Sequence, residues 1–144
     1  METKFAIAVA LQNPNNPSQI LVVKRPPEDE NLPNVWGLPA VVVEEDELPE
    51  VAVKRLGLEK LSTSIEPVSY LGIKRADRGS YELILMDIVA NLIGEPPSVI
   101  DAPTNNTKYV DQKWTSDFSI LLEAATKGSL CSQIFLESKG LTWD

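Results

Sequence analysis

The hydrophobic pattern at the start of the chain predicts two paired strands. Residues 5–11 form an unbroken apolar run, which is typical of a strand buried on both faces. A turn rich in Asn and Pro at 13–17 separates this run from a β-branched strand at 20–24. The short connection predicts an antiparallel hairpin, and a polar loop with three prolines follows at 26–34.

A helix is predicted after a short extended segment at 36–43. Asp46 is the expected N-cap, Pro49 suits the first turn, and the helix should end near Leu61. Gly57 in the interior costs about 1 kcal/mol relative to alanine. Apolar residues recur every four positions and should form the buried stripe of this helix: Leu48, Ala52 and Leu56.

The second half of the chain predicts more strands and two shorter helices. Strands are expected at 68–74 and 81–92, joined by a charged loop at 75–80. A long loop at 94–107 and a short strand at 109–114 follow. Asp117 or Ser116 should cap a helix that reaches Thr126, and a last helix should cover 130–138. The mixed order predicts an α/β fold of one domain, with a mixed sheet between helices.

Composition and charge remove several function classes. The chain has 144 residues and no histidine, which excludes His-dependent nucleophilic catalysis and His-ligated zinc. The net charge of −8 argues against broad nucleic-acid binding. The apolar N-terminal run is too short to span a membrane. The single cysteine, Cys131, excludes an internal disulfide framework and suits a reducing cytoplasm, which is the expected location.

Residues 36–62 carry a spaced set of side chains suited to metal–phosphate chemistry. Trp36 and a Leu-Pro pair at 38–39 come first, and an acidic turn at 44–47 precedes the helix. Arg55 and Glu59 are four residues apart and therefore share a helix face. Hard cations such as Mg²⁺ bind carboxylate and carbonyl oxygens and usually share them with substrate phosphates.

This stretch resembles the signature of the Nudix hydrolase family. In the ungapped alignment Glu47 matches the first glutamate of the signature, Arg55 the arginine and Glu59 the first glutamate of the closing pair. Leu56, Lys60 and Ser62 replace two further glutamates and the closing glycine. A gapped alternative would pair Gly57 and Leu58 with the closing Gly and aliphatic residue and would discard Glu59.

The resemblance implies the α/β/α sandwich of the family and hydrolysis of a nucleoside-diphosphate-linked or related phosphorylated molecule with Mg²⁺ or Mn²⁺. By resemblance, Glu47, Arg55 and Glu59 form the catalytic set, with Arg55 paired to Glu47. Glu59 and the Ala40 carbonyl are the expected metal ligands. Metal binding weakened by Leu56 and Lys60 could shift to the acidic turn or to Glu82. Dimers are common in the family, so a homodimer is possible.

Each of these side chains also has an ordinary structural explanation. Lys24 and Arg25 could meet substrate phosphates or be solvated charges at a strand end. Trp36 could stack on a base or pack in the core. Lys60 could contact a phosphate in place of a cation. The alternative functions are a nucleotide-binding or regulatory module without hydrolysis, and a scaffold that binds no nucleotide.

Overall fold

The computed structural model describes residues 1–104 and 106–144, and within them strands and helices lie close to the predicted positions. The first half contains four strands and the longest helix, and the second half contains three strands and three short helices. The bounds are β1 Glu2–Asn13, β2 Asn16–Lys24, β3 Trp36–Gly37, β4 Ala40–Val42, α1 Pro49–Leu61, β5 Ile65–Asp77, β6 Tyr81–Leu92, β7 Asp111–Thr115, a 3-10 helix Phe118–Leu121, α2 Leu122–Thr126 and α3 Leu130–Ser138.

In the described residues the strands form one mixed sheet of seven strands. Its main order is β3-β2-β1-β6-β5, with β4 also paired to β1 and β7 to β2. The central pair β1 and β6 is parallel, whereas β1–β2, β1–β4 and β5–β6 are antiparallel. The predicted hairpin of the first two strands is therefore confirmed.

Helices cover both faces of the sheet, which confirms the predicted sandwich. Side chains of β1 alternate between the two faces because successive residues of a strand point in opposite directions. Ile7 and Val9 pack with Leu56 on the α1 face. Ala6 and Ala8 pack with Phe135 on the α3 face. The continuous apolar run at the start of the chain thus serves two cores at once.

The start of α1 differs from the prediction. Asp46 has a φ of 64°, so it lies in the acidic turn, and Leu48 is the N-cap with extended backbone. Leu48 precedes the helical residues, so the four-residue repeat does not place it on the buried face, and its side chain is exposed. Ala52 and Leu56 are fully buried as predicted, and the helix ends at Leu61 as predicted.

Three other predicted bounds need correction. Residues 75–77, predicted as loop from their charges, belong to β5, where polar side chains alternate along an edge strand. Asp117 does act as a cap, through Ser119 N–H, but of a 3-10 helix that precedes the five-residue α2. Tyr109 lies before β7 instead of inside it. The predicted loop at 94–107 includes Asn105, which lies outside the described residues.

Candidate active site

A cavity of about 290 Å³ lies between the sheet, the second half of α1 and the segment that precedes β7. Its wall combines apolar side chains of the sheet with three basic residues and one acidic residue. Basic side chains are therefore gathered at this point of a chain whose net charge is −8. The lining residues are Ala6, Arg25, Ala40, Val41, Val42, Arg55, Glu59, Lys60, Leu83, Leu85, Thr104, Asn106, Thr107 and Tyr109.

Arg55 joins the acidic turn to the helix, as the sequence predicts. Its Nε donates to Glu47 Oε2 at 2.8 Å and its Nη2 to Glu47 Oε1 at 3.0 Å. Nη1 donates to Glu59 Oε1 at 3.1 Å, and Nη2 also donates to the Val42 carbonyl at 2.7 Å. Only the planar fork of arginine can reach all of these oxygens together. The guanidinium therefore fixes the loop, β4 and α1 relative to one another.

The same contacts hold the carboxylate of Glu47 in its charged form. Hydrogen bonds from Arg55 lower the pKa of Glu47, and the backbone N–H of Glu44 adds to the effect. Glu44 itself lies 3.2 Å from Arg55 Nε but is largely exposed. Both oxygens of Glu47 are thus committed to the joint between loop and helix, whereas Glu59 stands at the cavity wall with a half-exposed side chain.

Lys60 is the most deeply buried charged residue of the cavity wall. It is 4% exposed, and its Nζ donates to the carbonyl oxygens of Asn106 and Thr107. The Nζ also lies 5.7 Å from the centre of the Tyr109 ring. Burial lowers the pKa of Lys60, while the nearby Glu59 carboxylate acts in the opposite direction. The ammonium therefore attaches the loop before β7 to α1.

Tyr109 and Arg25 complete the inner part of the wall. The Tyr109 hydroxyl accepts a 3.0 Å hydrogen bond from Ala40 N–H, and burial raises the pKa of Tyr109 to about 12. Arg25 lines the cavity and pairs with Asp29 at 3.2 Å. Ala40, the predicted carbonyl ligand, lies on this wall, and the structure thus brings Ala40, Arg25, Arg55, Glu59 and Lys60 together.

Three predicted residues are placed elsewhere. The Nζ of Lys24 lies 5.9 Å from the centre of the Trp36 ring, and Trp36 packs against the core on the α3 face. Glu82 accepts hydrogen bonds of 2.8 and 2.9 Å from Arg75. It precedes Leu83, which lines the cavity, so its side chain points to the opposite face of the sheet. The structure does not bring Lys24, Trp36 or Glu82 to the cavity.

Sequence reasoning missed the contribution of the segment before β7. Thr104, Asn106 and Thr107 line the cavity, together with Tyr109. Lys60 contacts two of them through backbone carbonyls, which every residue type carries. The sequence therefore holds no signal for this contact except the lysine itself, in a helix position where the family has an acid.

The family relationship is supported by a match to the model of the NUDIX domain over residues 2–115, which is most of the chain. The chain belongs to the Nudix family. No curated protein matches it in a sequence comparison. Many solved structures do match it, and three of them, with identities between 14% and 21%, establish the fold alone.

One similar structure is the MutT protein from Methanosarcina mazei Go1, with 14% identity, a TM-score of 0.71 and coverage of 96% of this chain and 94% of that one. A NUDIX hydrolase from Nitrosomonas europaea has 19% identity and a TM-score of 0.72, with coverage of 96% and 89%. The MutT NUDIX hydrolase from Burkholderia pseudomallei has 21% identity, a TM-score of 0.64 and coverage of 81% and 84%.

The donor groups of this Nudix domain do not form a prepared site for a divalent ion. Across residues 1–104 and 106–144, no three Asp, Glu, Cys or His side chains are grouped so that they could hold one. Glu47 and Glu59 both accept hydrogen bonds from Arg55, and the ammonium of Lys60 follows Glu59 on the helix. Mg²⁺ needs oxygen ligands around it, and a neighbouring fixed cation repels it.

Proposed function

We propose that this Nudix domain binds a nucleoside-diphosphate-linked or related phosphorylated small molecule in the 290 Å³ cavity. The observation that carries the proposal is the burial of Lys60 in the cavity wall beside Arg25 and Arg55. Buried lysines are rare because desolvation of the ammonium is costly, so their presence points to a use for the charge. A phosphate group is the anion that family membership favours.

The wall also suits the remainder of such a molecule. Leu83 and Leu85 present apolar surface from β6, and Tyr109 adds an aromatic ring. Pockets for cofactor-like ligands combine mostly apolar walls with a few placed polar groups. A base or sugar on this apolar part would leave the phosphates near the basic residues. Lys24 and Trp36 are not included in this proposal, because they do not line the cavity.

Hydrolysis of the pyrophosphate bond is the second candidate. It is favoured by family membership and by the retained set of Glu47, Arg55 and Glu59 at the signature spacing. Arg55 would act by positioning, since it orients both glutamates. Glu59 is the carboxylate on the cavity wall among the described residues. The use of Mg²⁺ or Mn²⁺ stays a prediction, and we derive no step through the ion because the donor set does not fit it.

A ligand screen separates the candidates. Thermal unfolding is followed with nucleoside diphosphates, nucleotide sugars and dinucleotides, with and without Mn²⁺. The products of pyrophosphate-bond hydrolysis, a nucleoside monophosphate and either phosphate or the phosphorylated group, are measured in the same samples. Stabilisation without turnover supports a binding module. Turnover that disappears in Glu59→Gln supports the hydrolase. Absence of both effects would contradict the proposal and favour the scaffold.

A matched pair of neighbouring lysine and arginine variants tests whether the cavity is the site. Arg25→Gln removes a charge from the cavity wall, whereas Lys24→Gln removes one that lies over Trp36. We expect Arg25→Gln to weaken the ligand-induced stabilisation and Lys24→Gln to leave it unchanged. Equal effects of the two variants would move the ligand away from the cavity.

Assembly and location are proposals of lower detail. Strand β5 is the last in the main order of the sheet, and its exposed Val68, Tyr70 and Ile73 offer a surface on which a second copy could pair. Light scattering of the purified protein tests the homodimer.

The free thiol of Cys131 is compatible with the proposed cytoplasmic location. In the described part of the chain, no helix is long and apolar enough to cross a membrane.

A further inference from the structure

We infer that the ammonium of Lys60 takes the place of a divalent ion at this site, so that the phosphorylated ligand binds without metal. The inference rests on the proposed function, because it concerns how that ligand is held. It goes beyond it by assigning the positive centre to the chain itself and by predicting that metal removal leaves binding intact.

The surroundings of Lys60 resemble those of a bound hard cation. Its Nζ is held by the backbone carbonyl oxygens of Asn106 and Thr107, and the face of the Tyr109 ring lies nearby. Carbonyl oxygens and aromatic faces both stabilise positive charge. Within the described residues, Lys60 has no carboxylate within 4.0 Å, so an acid does not neutralise its charge at short range.

The carboxylates that could hold an ion are already occupied by Arg55. Both oxygens of Glu47 accept hydrogen bonds from the guanidinium, and Glu59 Oε1 accepts a third. An ion bound to Glu47 or to Glu59 Oε1 would compete with Arg55 for these oxygens, and Glu59 Oε2 is the oxygen of the two carboxylates that lies outside these contacts among the described residues. Such an ion would also stand close to Lys60, in a partly dehydrated site where repulsion between like charges is stronger than in water.

Among the residues that the structure describes, Lys60 is the cation of the cavity wall whose charge no close carboxylate offsets, whereas Arg25 is paired with Asp29 and Arg55 with Glu47 and Glu59. Arg25, Arg55 and Lys60 all line the cavity, and Glu59 is the acidic residue on the same wall. Arginine and lysine side chains are common phosphate ligands in proteins. Lys60 has a second effect, because its bonds to Asn106 and Thr107 hold the opposite wall of the cavity in place. Loss of its charge should therefore weaken binding in two ways.

The first experiment measures binding of ADP and of inorganic pyrophosphate by calorimetry, in EDTA and in excess Mg²⁺. We expect the two dissociation constants to agree within about threefold, and Lys60→Gln to weaken binding about tenfold under both conditions. Binding seen only with Mg²⁺ would overturn the inference and keep the proposed function. Absence of binding both in EDTA and in excess Mg²⁺ would contradict the proposed function. The metal titration described next would then decide the inference.

The second experiment needs no ligand and titrates Mn²⁺ into the protein, followed by electron paramagnetic resonance. Lys60→Glu removes the repelling charge and adds a carboxylate next to Glu59. We expect it to bind Mn²⁺ at least about tenfold more tightly than wild type. Wild type that binds Mn²⁺ as tightly as Lys60→Glu would overturn the inference.

If Lys60→Glu does not fold, Lys60→Gln keeps the Mn²⁺ titration decisive. It removes the charge without adding an acid, and its amide can still donate to the carbonyls of the loop. Circular dichroism first establishes which variants are folded. The expected result is that Lys60→Gln binds Mn²⁺ no more weakly than wild type. A clear loss of Mn²⁺ binding in this variant would show that Lys60 supports a metal site instead of replacing it.

Discussion

Two buried charged residues, Lys60 on α1 and Asp87 on β6, have opposite surroundings. On the side of α1, the ammonium of Lys60 is 4% exposed and is held by two backbone carbonyls. On the side of α3, Asp87 is fully buried, and neither carboxyl oxygen has a hydrogen-bond partner among the described residues. Lys60 has contacts built around its charge, whereas Asp87 is a buried acid without them.

This difference separates a group that can serve a ligand from one that affects stability. A buried charge with polar partners can stay charged, whereas a buried acid without them takes up a proton. Burial indeed raises the pKa of Asp87 well above its ordinary value. Lys60 therefore offers fixed charge at the cavity wall. Asp87 should instead make the free energy of unfolding depend on pH.

The largest expected effect comes from a residue that sets the geometry of the α1 face. Gly57 lies between Arg55 and Lys60, and a Cβ at this position would stand 2.8 Å from both the Thr63 carbonyl oxygen and Ile65 Cγ1. Because the carbonyl belongs to the backbone that leads into β5, it cannot yield cheaply. We expect Gly57→Ala to lower the free energy of unfolding by about 3 kcal/mol, measured by urea denaturation.

The control for this prediction is the next residue of the helix. Leu58 is largely exposed, and Leu58→Ala should change stability little because both residues favour helices. If Gly57→Ala proved as stable as wild type, the close contact between α1 and β5 would be wrong. The positions of Arg55 and Lys60 on the cavity wall would then need revision.

The second prediction concerns the face of α3. Asp87→Asn keeps the shape of the side chain but cannot ionise. An acid with a raised pKa adds stability that is complete below its ordinary pKa and is lost as the pH rises through the folded-state value. Unfolding of wild type and variant should therefore differ little near pH 4 and diverge above it. At pH 8 we expect the variant to be more stable by about 2 kcal/mol.

The matched control is the exposed Asp144, and Asp144→Asn should follow the wild-type curve at every pH. Parallel curves for wild type and Asp87→Asn would mean that the carboxyl finds a partner or solvent. The contrast between Asp87 and Lys60 would then disappear.

Much of the fold could be predicted because its signals are local. The apolar run at the start of β1 and the spacing of Ala52 and Leu56 in α1 determined their elements directly. The failures lie where local signals mislead. The charges at 75–77 indicated a loop, but an edge strand tolerates them. Asp46 looked like an N-cap from its type, yet its backbone is left-handed.

The same distinction between local and distant contacts decides which parts of the site could be predicted. The pairing of Glu47 with Arg55 is implied by the resemblance of one continuous stretch to the family signature, so it could be expected before the structure. Lys60 contacts backbone oxygens of two residues that lie 46 and 47 positions further along the chain. Formation of these contacts depends on how the segment before β7 returns to α1. The pattern of side chains along the sequence does not indicate that this segment approaches α1, so only the structure could reveal the contact.

Replacing Arg55 by lysine should weaken the joint between the acidic turn, β4 and α1. Lysine keeps the charge at this position but cannot reach Glu47, Glu59 and the Val42 carbonyl together. Because the side chain is partly exposed, we expect Arg55→Lys to cost about 1 kcal/mol of unfolding free energy. The adjacent, exposed Lys54 gives the control, and Lys54→Arg should be neutral in the same urea titrations. A neutral Arg55→Lys would mean that charge alone holds the joint.

The smallest expected effect distinguishes the partners of Arg55 by their exposure. Glu44 lies 3.2 Å from the guanidinium, but two thirds of its side chain is exposed, whereas the side chain of Glu47 is only 10% exposed. Exposed ion pairs contribute little, since water and salt screen them. We expect Glu44→Gln to cost about 0.3 kcal/mol at low ionic strength and nothing measurable in high salt. Glu47→Gln should cost more and keep most of its effect in salt, because it breaks a buried two-point contact. Equal salt-sensitive losses from both variants would show that the joint is a surface ion pair, and Lys60 would then be, among the described residues, the one buried charge of the cavity wall with built contacts.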